Sequence, residues 1–84
     1  MPLGAPKSAQ QIVTVPYGTC MVTVQANGGS VTIEVLHGAS PEIWVPAAST
    51  FTADGAITLF PTNNARLRIT PAGGATWNIQ GPGL

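Results

Sequence analysis

Apolar and polar residues alternate along most of this chain, and nowhere do apolar residues recur at the three-to-four spacing of an amphipathic helix. Over residues 19–26, Cys20, Val22, Val24 and Ala26 share one face while Met21, Thr23 and Gln25 share the other. Over residues 31–36, Val31, Ile33 and Val35 turn inward, leaving Thr32, Glu34 and Leu36 outside. Residues 65–70 alternate Leu67 and Ile69 against Arg66 and Arg68, and residues 76–80 place Trp77 and Ile79 together. Shorter strands are predicted over 11–15, stopped by Pro16, over 42–45, stopped by Pro46, and over 56–60. The breaks carry turn chemistry. Asn27-Gly28-Gly29-Ser30 is the strongest such signal and predicts a hairpin joining its two flanking strands, because Asn and Gly tolerate positive φ. Asp54-Gly55 reads as a second hairpin-type turn, reached through Phe51-Thr52-Ala53. Tyr17-Gly18, residues 61–64 and Pro71-Ala72-Gly73-Gly74 read as further turns, and residues 37–41 as a loop.

Seven or eight short strands with turns every 8 to 12 residues predict an all-β domain, a small antiparallel β-sandwich or barrel. Its 84 residues allow one such domain. Residues 1–10 hold two Pro and one Gly without a hydrophobic period and read as an extended N-terminal arm; 11–80 is the β-domain and 81–84 a tail. The single Cys20 excludes an internal disulfide, and with one histidine, His37, the common Cys/His zinc frameworks are excluded. No cofactor or metal is expected.

Charge changes the picture more than size does. Charged residues make up 7% of the chain, against about 25% in an average domain, and the net charge is near zero. Three basic residues cannot build the field that nucleic acid or an anionic membrane surface requires. No apolar run reaches the length of a membrane span, and the first residues lack the basic start and apolar run of a secretory signal. Synthesis in the cytoplasm is therefore expected, and Met1 with the short tail reads as a complete chain. The outer faces must be built from Thr, Ser, Asn and Gln, 22 residues of which ten are Thr. Such a surface suits packing against protein and is poor at keeping copies apart.

The inventory for catalysis is short. Glu34 alternates outward, Glu42 begins a strand, and Asp54 is explained by its turn. A Ser40–His37–Asp54 triad lacks a nucleophile-elbow sequence, and Cys20 alternates with Val22 and Val24 as a buried thiol does. The paired glycines lack any phosphate-binding fingerprint. The chain reads as a non-enzyme. Trp44 and Trp77 are expected in the core or in an interface, since each buries about 150–250 Å². Arg66 and Arg68 share one face of one strand in a protein with almost no other charge. They read either as an outward solvated face or as candidates to reach carboxylates or carbonyls of a neighbouring subunit. The candidate protein-contact set is Pro2, Leu3, Pro6 and Lys7 of the arm, the outward Leu36, and Arg66 with Arg68.

Tyr17-Gly18-Thr19 opens an alternating strand, followed by residues 22–25, 31–35 and Ile43-Trp44-Val45-Pro46. Phe51-Thr52-Ala53-Asp54-Gly55 and Ala65-Arg66-Leu67-Arg68-Ile69-Thr70 complete the succession. It resembles small β-rich virion proteins of tailed phages, of the head-decoration or cement type, over residues 17 to 80. Where such sequences often carry an Asp-Gly turn before the Trp, this one has Gly38-Ala39-Ser40-Pro41. The resemblance implies a structural protein located in the virion, acting commonly as a homotrimer on a larger assembly such as a major capsid protein. It assigns no functional residue, because such proteins work through whole surfaces. The alternative is a carbohydrate-binding or tail-fibre module, which needs Trp44, Trp77 or Tyr17 exposed beside Asn or Gln. A further alternative is an Ig-like adhesin or spacer module within a longer chain.

Overall fold

The computed structural model describes residues 5–60 and 64–82, apart from the side chain of Ala39. Pro2 and Leu3 of the arm, most of the expected turn over 61–64, and residues 83–84 of the tail lie outside this set. The fold is all-β, with seven strands and, among the described residues, no helix. They are β1 (Gln11–Val15), β2 (Cys20–Gln25), β3 (Ser30–Ala39), β4 (Glu42–Pro46), β5 (Gly55–Leu59), β6 (Ala65–Ala72) and β7 (Thr76–Gln80). They form two antiparallel sheets in a sandwich-like arrangement, one ordered β1-β6-β3-β4 and the other β5-β2-β7. The sheets do not close on each other, so of the two expected architectures the barrel is excluded.

The alternation identifies the inner faces correctly. Val22 and Val24 of β2 meet Val31 and Ile33 of β3, Ile69 of β6 and Trp77 of β7 in one buried cluster. Val15, Cys20 and Leu67 form a second, with Val35, Leu59 and Ile79 packed against it. Trp77 is the largest fully buried side chain, and its indole Nε1 donates to the Ala9 carbonyl at 3.1 Å. That bond satisfies the polar atom such a ring carries into the core.

The expected hairpin at Asn27–Ser30 does not form. β2 and β3 lie in opposite sheets, and the turn between them is an arch across the sandwich. The local geometry is nevertheless the one the residues dictate. Asn27 and Gly28 take φ of 50° and 82°, and Gly29 N donates to the Ala26 carbonyl at 2.7 Å, as in a type I′ turn. Gly73 and Gly74, at φ 66° and 88°, build a second such arch between β6 and β7. The two arches stack at one end of the sandwich, with Asn27 Nδ2 donating to the Gly74 carbonyl. Inward-facing apolar residues satisfy a hairpin and an arch equally, because alternation fixes the face a side chain takes and not the sheet.

Three further expectations change. Asp54-Gly55 makes no hairpin; the Asp54 carboxylate accepts from Ala26 N at 2.9 Å and braces the first arch, while Phe51 bridges to Val31. β3 runs on through His37 and Gly38 to pair with β4, with a register shift between Leu36 and Gly38, where a loop was expected. β6 continues through Pro71, placed in a turn by the sequence. Val31 N and O both bond to Phe51, so the facing Val31–Pro71 pair exchanges no hydrogen bond, and Pro71 forfeits no bond to β3.

Candidate interaction surface

The outer face of the four-stranded sheet holds most of the residues with recognition chemistry. Period two turns Ile12 and Thr14 of β1, Arg66, Arg68 and Thr70 of β6, Thr32, Glu34 and Leu36 of β3, and Trp44 of β4 to the same side. Register sets Ile12 and Glu34 on either side of Arg68, and Leu36 beside Trp44. Arg68 Nη2 and Nε lie 2.9 and 3.0 Å from the same Glu34 Oε1, and its guanidinium sits 4.6 Å from the Trp44 ring centre. A half-buried ion pair of this kind contributes up to about 1 kcal/mol, and the cation–π contact about as much again. Their main consequence is rigidity: β6, β3 and β4 are clamped across the face by one side chain.

Arg66, two residues along β6, is exposed; among the described residues its guanidinium makes no ion pair. Glu42 is the same case on β4, where period two puts it on the Trp44 side. Ile12 is 55% exposed.

The expected contact residues thus separate. Leu36, Arg66 and Arg68 converge on this one face. Pro6 and Lys7 lie with the other sheet. Lys7 exchanges backbone hydrogen bonds of 2.7 and 2.9 Å with Trp77, and its ammonium lies 3.3 Å from Asn78 Oδ1 and 5.3 Å from the Trp77 ring centre. Lys7 therefore seals the β7 edge of its own domain, so the stretch read as an extended arm contributes to the fold. Pro6 is exposed and borders a shallow concavity of about 220 Å³ with Thr23, Gln25, Thr76 and Asn78.

Trp44, Glu34, Glu42 and Ile12 belong to the face but were not among the candidates. The signal for Trp44 was its phase: it shares a parity with Glu42 and Pro46, both polar or strand-ending, rather than with the apolar Ile43 and Val45. His37, Ser40 and Asp54 make no hydrogen bond to one another, Asp54 being taken up by the arch. Cys20 is buried, and desolvation pushes its thiol pKa upward, away from the reactive thiolate. No group of three or more metal-ligating side chains occurs among the described residues. Comparison with protein-family models, curated proteins and solved structures found no match.

Proposed function

We propose that this chain is a non-enzymatic structural protein of a virion, of the capsid decoration or cement type, that self-associates and binds a larger protein lattice. The observation that carries the reading is the composition of the β1-β6-β3-β4 outer face. It combines an exposed Arg and an Arg-clamped Trp, types enriched where proteins meet proteins, with the exposed Ile12 and the half-buried Leu36, on a molecule otherwise almost free of charge. The mechanism is linkage. A protein that binds only the assembled lattice stabilises it by about 2.7 kcal/mol per site when present at a hundredfold excess over its dissociation constant.

The carbohydrate-binding alternative draws less support. Arg68 covers one face of Trp44, Trp77 is buried, and Tyr17, 54% exposed in the β1–β2 turn, is a single ring. The test is twofold. Light scattering coupled to size exclusion, at micromolar concentration, should give a defined oligomer. Gradient-purified particles from the source of the chain should carry it in fixed proportion to their major protein. A monomer absent from such particles, with tryptophan emission that responds to oligosaccharides, would overturn the reading.

A further inference from the structure

We propose that the outer face of the β1-β6-β3-β4 sheet is a two-fold contact between two copies of this chain, held by reciprocal Arg66–Glu42 ion pairs. The proposal rests on the self-association reading above and supplies its chemistry.

Four of the six charged side chains are engaged within the fold. Glu34 and Arg68 neutralise each other, Lys7 is engaged by Asn78 and Trp77, and Asp54 accepts from Ala26 N. Arg66 and Glu42 remain, of opposite sign, both exposed and both on one face. Two strand spacings across and two residues along put them about 12 Å apart, too far to pair within the chain. A two-fold axis lying in the interface midway between them, perpendicular to the line joining them, sets each Arg66 over Glu42 of the second copy. Both charges are then satisfied at once. A partner of uniform sign could satisfy only one of them and would repel the other. The same axis passes close to Leu36, so that this side chain packs on its own symmetry mate.

Four strands about 4.8 Å apart and five residues of about 3.3 Å outline a face of roughly 19 by 17 Å, or about 320 Å² on each copy. The contact is therefore a small one, and its specificity comes from the placement of the two charges rather than from area. The opposite sheet offers no rival. By period two its outer face carries Met21 and Ala56 among Thr23, Gln25, Thr58 and Thr76, and its three strands hold no charged residue to fix a register. Near-zero net charge leaves no long-range repulsion to oppose the encounter. The contact is two-fold and so differs from the three-fold association that the resemblance implies.

The test is charge reversal, read by sedimentation equilibrium of the full chain at low salt. Wild type should dimerise, and more weakly as salt is raised. Arg66→Glu and Glu42→Arg should each weaken the dimer by about tenfold or more, since each sets like charges opposite one another. The double variant should regain the wild-type constant. An equimolar mixture of the two single variants should form heterodimers although each alone stays monomeric, because every pair in the mixed dimer is again of opposite sign. Both positions are exposed and, among the described residues, make no ion pair, so circular dichroism and thermal midpoints should match wild type. Should a variant misfold, the salt dependence of the wild-type constant carries the test. Single variants that dimerise as well as wild type, or a wild-type dimer indifferent to salt, would overturn the contact. A trimer unaffected by charge reversal would overturn it too while leaving self-association standing. A monomer that still joins purified particles would leave only the lattice role.

Discussion

Substituting Gly29 by alanine tests the arch directly, because the cost of a methyl there depends on which sheet β3 enters. A Cβ built on Gly29 would stand 1.9 Å from the Ala72 carbonyl oxygen and 2.8 Å from both the carbon and the oxygen of the Gly73 carbonyl. All three are backbone atoms of the second arch, so no side chain can swing aside; one arch must move by about 1 Å or more. Overpacking in folded proteins costs about 1–3 kcal/mol, and an unyielding backbone partner puts this site at the upper end, about 3 kcal/mol. A domain of this length has a total stability of about 4–13 kcal/mol, so the loss is a large share. In urea, with a slope of about 1 kcal/mol/M for a chain this small, the midpoint should fall by about 3 M with the slope unchanged. Trp77 fluorescence is the probe, since that ring is buried between the sheets. The control is Gly28→Ala. Nothing lies within 4 Å of that position, and only its positive φ resists a side chain, at about 1–2 kcal/mol. In a β2–β3 hairpin Gly29 would face solvent at the turn and tolerate alanine. A Gly29→Ala midpoint equal to or above that of Gly28→Ala would therefore refute the stacked arches.

Two other outcomes follow from burial. Under conditions that keep the chain monomeric, Trp44→Phe should leave Trp77 with blue-shifted emission resistant to acrylamide, while Trp77→Phe should leave a redder, more readily quenched Trp44; equal quenching in the two variants would contradict the assignment of one ring to the core and one to the outer face. Cys20 should not react with a thiol reagent at neutral pH until the protein is unfolded. Because burial raises its folded-state pKa above the ordinary 9.0, the native state holds its proton longer than the unfolded chain. Its contribution to stability is therefore complete below pH 9.0 and is lost as pH rises from there through the folded value, and Cys20→Ala should flatten the alkaline limb of a stability–pH curve.

What the sequence revealed and what it hid divide along a physical line. Side-chain alternation is local, so the inward residues of β2, β3, β6 and β7 were all legible, and so was the shared face of Arg66 and Arg68. Sheet membership is non-local. The Asn27-Gly28 turn has the dihedrals of a hairpin and still delivers β3 to the opposite sheet, since β2 finds its neighbours in β5 and β7, and β3 in β6 and β4. The extension of β3 through His37 and Gly38 was hidden because a bulge breaks the alternation by which strands are read. Pro71 was misleading for a related reason: proline disrupts a ladder only where its missing donor was needed, and here it faces Val31 in a pair that exchanges no hydrogen bond. At the surface, Leu36 and the arginines were found by phase, while Trp44 was sorted by size and hydrophobicity toward the core or an interface. Its partner Arg68 lies 24 residues away in sequence and comes beside it only through the β6-β3-β4 order.

The sparse charge of this protein is structural before it is protective. Most soluble domains scatter charge over their surfaces and so resist casual association. Here Lys7 guards the β7 edge, Asp54 braces the arch that sends β3 across the sandwich, and the Glu34–Arg68 pair clamps three strands. The remaining edges are managed in other ways: β4 carries Glu42 and ends at Pro46, and β1 is stopped by Pro16. β5, reading Gly-Ala-Ile-Thr-Leu and leading to a Phe60 that is 78% exposed, has neither charge nor proline. A chain with so little repulsion must obtain specificity from position. In the proposed contact Arg66 and Glu42 would provide it on a face made rigid by Arg68, where a register error of one rung would part both pairs together. The proposed association through that face would hold copies in a defined arrangement, whereas pairing through the β5 edge would have no charge to set its register. On that proposal the choice between the two rests on Arg66 and Glu42, which make no ion pair among the described residues.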